Sequence, residues 1–186
     1  MCKDRYERII YMMSSMGPTG DRILDATLSC AEEGPDFTMA DVARAAGLSR
    51  QAIYLHFPDR KTLLIALALR AKEEHPSPKL EDALSARAAL GALVARFAEF
   101  YPKVWPVIRA QSETRDRSVA PDCRALAERF RSEGALAPHL SPAAAADILS
   151  TLLSLAVWKE LVTGRGWDSV RYKSHITFLA AGALTR

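Results

Sequence analysis

Residues 38–57 read TMADVARAAGLSRQAIYLHF and carry the strongest structural signal in this sequence. Thr38, with Asp41 three positions later, predicts a helix start of the capping-box type. The apolar residues that follow recur at helical spacing, and Gly47 ends this short helix. Ser49 then suits the cap of a second short helix that runs to the end of the stretch. Two short helices joined by a glycine turn predict a helix-turn-helix.

The second of these helices has the side chains that DNA recognition requires. Its apolar positions face the rest of the motif, and the positions left exposed are Ser49, Arg50, Gln51, Tyr54 and Leu55. Arginine and glutamine side chains can form paired hydrogen bonds with base edges in the major groove. The hydroxyl groups of Ser49 and Tyr54 suit phosphate oxygens. The pattern therefore indicates a protein that reads double-stranded DNA.

The segments on either side of the motif complete a small helical domain. One helix is predicted over residues 20–33, before the motif, and another over residues 60–74, after it. Two prolines within HPSP, residues 75–78, then break the chain. These signals predict three parts: an N-terminal extension over residues 1–19, the DNA-binding domain over 20–75 and a second helical domain over 76–186.

The second domain is also predicted to be entirely helical. Pro102 and Pro106 are expected to interrupt its first long helix, because an internal proline removes a backbone donor. With the four helices before it, the chain should contain about nine helices and belong to the all-α class. The predicted helices of the second domain cover residues 79–100, 107–117, 122–132, 142–163 and 168–184.

Charge is distributed unevenly along a chain of ordinary globular composition. The 186 residues are 49% hydrophobic and 25% charged, and the net charge is +3. Residues 38–72 contain six basic and two acidic residues, whereas residues 1–37 contain four basic and seven acidic ones. A positive window on the DNA-reading segment fits binding to phosphates. Chance clustering on a solvated surface is the alternative.

Several other classes of protein lack support in this sequence. It contains no glycine-rich phosphate loop, no G-x-S-x-G elbow and no cluster of metal ligands, so we expect neither an enzyme nor a cofactor. Cys2, Cys30 and Cys123 are scattered, as is typical of reduced thiols, and the expected location is the cytoplasm. No apolar run reaches the roughly 18 residues of a membrane span.

The segment TMADVARAAGLSRQAIYLHFPDRKTLL resembles the DNA-binding domain of the tetracycline-repressor (TetR) family. Together with RILDATLSCAEEG before it, the resemblance covers roughly residues 20–70. The agreement extends over many positions at fixed spacing, which makes it more specific than a bare helix-turn-helix. It implies a transcriptional repressor that a small-molecule effector releases from its operator.

The resemblance also implies roles for individual side chains. Base contacts are expected at the start of the second helix of the motif, and phosphate or sugar contacts are expected around it. The implied base contacts come from Ser49, Arg50 and Gln51, and the implied backbone contacts come from Thr38, Tyr54, His56 and Arg60.

Aromatic residues in the second domain are candidates for the effector site. Phe97, Tyr101 and Trp105 recur at helical spacing beside the expected proline break, and Trp158 lies in a later helix. Such a stripe indicates either a packed core or the lining of a cavity for a largely apolar molecule. Both interpretations stay open at this point.

The most apolar helices predict self-association. The segments 142–163 and 168–184 are apolar around much of their circumference, so they need burial on more than one side. A two-fold dimer that packs them as a four-helix bundle would provide it. The expected partner is then a DNA operator with an inverted repeat. The alternative function is a constitutive or architectural DNA-binding protein without an effector.

Overall fold

A computed structural model describes the backbone of residues 2–110 and 120–185 and the side chains of residues 7–110 and 121–185. In this part of the chain all regular structure is helical, which confirms the all-α prediction. A short 3₁₀ turn, Leu80–Asp82, precedes the longest helix. The α-helices are α1 (Cys2–Ser14), α2 (Pro18–Glu33), α3 (Met39–Ala46), α4 (Arg50–His56), α5 (Arg60–Glu74), α6 (Ala86–Arg109), α7 (Ala120–Ser132), α8 (Pro142–Leu152), α9 (Leu155–Trp158) and α10 (Ser169–Leu184).

The helices form two compact units. The first contains the described residues up to Glu74 together with the segment from Pro102 to Ala110. The second contains His75–Tyr101 and the described residues from Ala120 onward. The sequence pattern placed residues 102–110 in the second domain, whereas their packing places them in the first unit.

The first unit is built around one apolar core. Helices α2 to α5 supply most of it; Val107 near the end of α6 and Ala110 just after that helix also belong to it. Ile53 of α4 and Phe57 just after it are completely buried, so these two side chains anchor the short helix α4 in the core. Burying side chains of this size contributes about 1.5–3 kcal/mol each, which offsets the weak stability of a seven-residue helix.

The N-terminal segment contributes a helix that the sequence pattern did not predict. Ile9 of α1 is 4% exposed and belongs to the core of the first unit. Met12, Met13 and Met16 are partly buried against the same core. The predicted N-terminal extension therefore contains a helix that packs against the core of the first unit from Ile9 onward.

The expected proline break in the second domain is wrong. Helix α6 continues from Ala86 to Arg109 with Pro102 and Pro106 inside it. An internal proline costs about 3 kcal/mol. Tyr101, Val104 and Val107 are each at most 2% exposed, and their burial compensates for the missing backbone hydrogen bonds.

The chain breaks instead within the segment 142–163 that was predicted as one helix. Helix α8 ends at Leu152, and the hydroxyl oxygen of Ser154 accepts a hydrogen bond from the Val157 amide to begin α9. A π-helical segment, Lys159–Gly164, continues α9. At this break, the buried Tyr101 hydroxyl of the same unit donates a hydrogen bond to the Leu153 carbonyl.

Candidate nucleic-acid interface

The start of α3 is held by a reciprocal cap. The Thr38 hydroxyl oxygen accepts a hydrogen bond from the Asp41 amide at 3.3 Å. The Asp41 carboxylate in turn accepts from the Thr38 amide at 2.9 Å and from the Thr38 hydroxyl at 2.7 Å. These hydrogen bonds, with a smaller contribution from the nearby Arg44, lower the pKa of Asp41. The cap fixes where the helix-turn-helix begins.

The turn between α3 and α4 depends on the backbone freedom of one glycine. Gly47 has φ 62° and ψ 37°, the left-handed conformation that ends many helices. The Leu48 amide donates to the Ala43 carbonyl at 2.9 Å, which closes the turn. A β-carbon at Gly47 would meet no atom within 4 Å, so glycine is needed for its dihedral angles and not for space.

Helix α4 presents one face to solvent and buries the other. The Ser49 hydroxyl oxygen accepts from the Ala52 amide at 3.1 Å, which caps the helix. Arg50 and Gln51 in the first turn and Tyr54 in the next are exposed. The outward face therefore carries donors and acceptors in its first turn, where a recognition helix meets base edges.

The structure leaves most of the predicted DNA-contacting side chains of the first unit accessible to solvent. Thr38, Ser49, Arg50, Gln51 and Tyr54 are exposed, whereas His56 is half-buried. Their contacts with DNA remain predictions.

Leu55 was not among the predicted contacts, although it is 81% exposed on the same helix. It follows Gln51 by four positions and so lies one turn further along the same face. The signal that could have identified it is an apolar residue on the polar face of a recognition helix.

Arg60 does not occupy the position that its predicted role requires. Its guanidinium is partly buried and donates to the carbonyls of Phe37 at 3.1 Å, Ala110 at 2.9 Å and Pro35 at 2.6 Å. It also lies over the Phe37 ring, 4.5 Å from the centroid. All three guanidinium nitrogens thus donate hydrogen bonds to carbonyls of the first unit, which argues against the predicted phosphate contact.

The positive charge of the DNA-binding segment is partly neutralised within the protein. Arg44 pairs with Asp41 at 2.8 Å, and Arg70 pairs with Asp25 at 2.8 Å. The exposed cations of the segment outside these pairs are Arg50 on α4 and Lys61 and Lys72 on α5. The charge available to DNA is therefore smaller than the residue count of the segment suggests.

Three of the four aromatic residues predicted for an effector site lie together in the second unit. The Phe97 and Tyr101 rings stack with centroids 5.2 Å apart, and the Tyr101 and Trp158 rings are 5.9 Å apart. All three side chains are at most 4% exposed. Trp105 belongs to the first unit, so the predicted set is divided between the units.

The first unit also has an open surface groove of about 440 Å³ beside the start of α3. Its lining includes Cys30, Phe37, Asp41 and Arg44. Burial raises the pKa of the Cys30 thiol, and nearby acidic residues add to this effect. A raised pKa keeps the thiol protonated and unreactive, so we assign no chemistry to this groove.

The described residues contain neither a cluster of metal ligands nor a membrane-spanning helix. Nowhere in residues 7–110 and 121–185 do three or more histidine, cysteine or acidic side chains gather as a metal site would require. None of the described helices combines the length and the apolarity needed to cross a membrane.

Comparison with known proteins identifies the segment that contains the helix-turn-helix. Residues 23–67 match the family model described as bacterial regulatory proteins, tetR family. The HTH-type transcriptional regulator AlkX of Mycobacterium tuberculosis is 37% identical over 97 residues, which are 51% of this chain and 43% of that protein. The match thus spans less than half the length of that relative, which is a transcriptional regulator.

Solved structures extend the similarity to most of the fold. The fatty acid degradation regulator FadR from Bacillus halodurans has a TM-score of 0.71 at 20% identity, covering 92% of this chain and 100% of that one. SmeT, the repressor of a multidrug efflux pump of Stenotrophomonas maltophilia, has a TM-score of 0.68 at 20% identity, covering 90% of each chain. The segment that contains the helix-turn-helix thus matches the tetR family of bacterial regulatory proteins in sequence, and the fold of the chain is similar to the folds of these two solved regulators.

Proposed function

We propose that this protein is a sequence-specific DNA-binding transcriptional regulator, a repressor that a small molecule releases from its operator. The observation that carries the proposal is the outward face of α4. A capped helix, anchored by the buried Ile53, presents Arg50, Gln51 and Tyr54 to solvent next to a left-handed glycine turn. These side chains match the chemistry of base edges and phosphates in the major groove.

The protein acts as a homodimer in the cytoplasm and binds an inverted repeat. Helix α10 leaves Val170 and Phe178 each 72% exposed and Leu179 50% exposed. Large exposed apolar side chains of this kind are costly in water, and a two-fold partner that packs against α10 would bury apolar surface of both copies. Two recognition helices related by a two-fold axis require a palindromic site.

Selection of bound sequences from random DNA tests the DNA-binding proposal. The full-length protein should enrich an inverted repeat whose half-sites are about one helical turn apart, roughly 10 base pairs. Affinity for this site should exceed that for random DNA by about 10³-fold or more at physiological salt. If no sequence is enriched over repeated rounds, the proposal is wrong.

Leu55 adds a prediction about the operator sequence. An exposed leucine on a recognition helix fits the methyl group of a thymine. Replacing that thymine by uracil in each half-site removes one methyl group from the interface and should weaken wild-type binding about fourfold per half-site. Leu55→Ala should bind more weakly and should no longer distinguish uracil from thymine there. Other thymines of the site serve as internal controls, and an undiminished uracil penalty in Leu55→Ala would exclude this contact.

The effector is proposed to be small and largely apolar and to bind in the second unit near Phe97, Tyr101 and Trp158. A screen of lipophilic compounds should yield one that raises the melting temperature of the full-length protein and weakens operator binding. Linkage requires DNA to weaken binding of the same compound by the same factor. A compound that weakens operator binding without raising the melting temperature of the protein would mean that it acts by another route, such as on the DNA.

A constitutive DNA-binding protein without an effector is the second candidate. The complete burial of Phe97 and Tyr101 and their stacking favour it, because rings that fill a core leave no space for a ligand. The two candidates differ in one outcome of the same screen. A constitutive protein would bind its operator equally well in the presence of every compound.

A further inference from the structure

Arg60 connects three backbone segments that are distant in sequence. From the first turn of α5 its guanidinium reaches two carbonyls of the α2–α3 loop, those of Pro35 and Phe37, and the Ala110 carbonyl just beyond α6. The ring of Phe37 lies beneath the guanidinium. The planar geometry of arginine suits such a set of in-plane acceptors, which the single ammonium group of lysine cannot reproduce.

A second arginine ties the same part of α6 to the end of α2. Arg109, in the last turn of α6, donates to the Ala31 carbonyl at 3.0 Å, and the Glu32 carbonyl lies 3.5 Å away. Carbonyls in the last turn of a helix lack partners within the helix, and a cation near them is favourable. The two arginines therefore hold the end of α6 against the end of α2 and the loop that follows it.

We propose that Arg60 is a positioning residue for DNA binding and not a phosphate contact. The inference rests on the proposed DNA-binding function. Phe37 directly precedes Thr38, so the carbonyls that Arg60 holds set the path of the chain into the cap of α3. Turning the guanidinium toward a phosphate would leave three carbonyls without this donor, which is costly for the buried ones. The single side chain of Arg60 thereby holds the end of α6 next to the start of the helix-turn-helix.

Two substitutions separate positioning from phosphate binding. Operator affinity is measured over a range of salt concentrations for wild type, Arg60→Lys and Arg60→Ala. We expect the affinity of both variants to fall about tenfold, because neither can serve the three carbonyls. The slope of log affinity against log salt should stay at the wild-type value in both, since the number of phosphates that the protein neutralises does not change.

Direct phosphate binding by Arg60 would give the opposite pattern. Arg60→Ala would then reduce the slope by about 0.9 for each phosphate that the protein no longer neutralises. Arg60→Lys would keep both slope and affinity, because it keeps the charge. That result would overturn the proposal.

Arg109→Ala provides a second, independent variant should the Arg60 variants fail to fold. It should also weaken operator binding with an unchanged salt slope, because its carbonyl partners lie in the same α2–α6 junction. Normal operator affinity in a folded Arg109→Ala protein would contradict the proposal. Wild type that binds no DNA sequence would instead refute the proposed function, so the two failures can be told apart.

Discussion

Replacing Phe178 by glutamate is expected to separate the dimer and to abolish operator binding at concentrations that saturate wild type. Phe178 is 72% exposed in the single chain, so the change leaves the core of the second unit intact. In a two-fold interface the substitution would bury one unpaired carboxylate from each subunit, which is strongly unfavourable. A monomer also lacks the advantage of linked half-sites, which is worth about 10²–10⁴-fold in affinity.

Light scattering of the Phe178→Glu protein measures the loss of the dimer, and operator titration measures the loss of DNA binding. Leu84→Glu is the matched control, because Leu84 is fully exposed but lies outside α10. The control should remain dimeric and bind the operator as wild type does. A Phe178→Glu protein that is still dimeric at micromolar concentration would show that this face of α10 is not the interface.

The second large effect is expected from the recognition helix. Arg50→Ala and Gln51→Ala should each cost about 1–3 kcal/mol, or roughly 5–150-fold in operator affinity. Each should also relax base preference at one position in every half-site, because the variant cannot form the paired hydrogen bond with a base edge. Affinity for random DNA should change little for Gln51→Ala, which removes no charge.

Repeating the sequence selection with each variant checks this prediction. Lys79→Ala is the control for the loss of a positive charge, since Lys79 is exposed and lies in the second unit, outside the positive segment 38–72. It should alter salt dependence at most slightly and select the wild-type site. Selection of unchanged sites by both α4 variants would mean that another surface reads the bases.

The helix-turn-helix could be predicted because its signals act over a few residues. Thr38 and Asp41 are three positions apart and cap α3 as their spacing indicated. Gly47 ends α3 in the left-handed conformation, and Ser49 caps α4. Hydrogen bonds between a side chain and a backbone amide a few residues away depend only on the local sequence, so the sequence predicts them.

The helix boundaries of the second domain were decided by packing. Proline is unfavourable inside any helix, yet α6 continues through Pro102 and Pro106 because the side chains around them are buried. The segment 142–163 lacks proline after its first residue, yet its helix breaks at Leu153. The Leu153 carbonyl accepts a hydrogen bond from the Tyr101 hydroxyl. Local propensity pointed the wrong way in both cases because tertiary burial involves larger energies.

Sequence alone thus determined the helical class, the DNA-reading motif and its exposed face, all of which follow from spacing and local capping. Tertiary structure alone decided that α1 packs on the first unit, that the end of α6 joins it and that Arg60 faces inward. The Arg60 guanidinium and the Ala110 carbonyl are 50 residues apart in the chain. Contacts at that separation depend on how whole helices bury their apolar faces, and no short stretch of residues encodes that outcome.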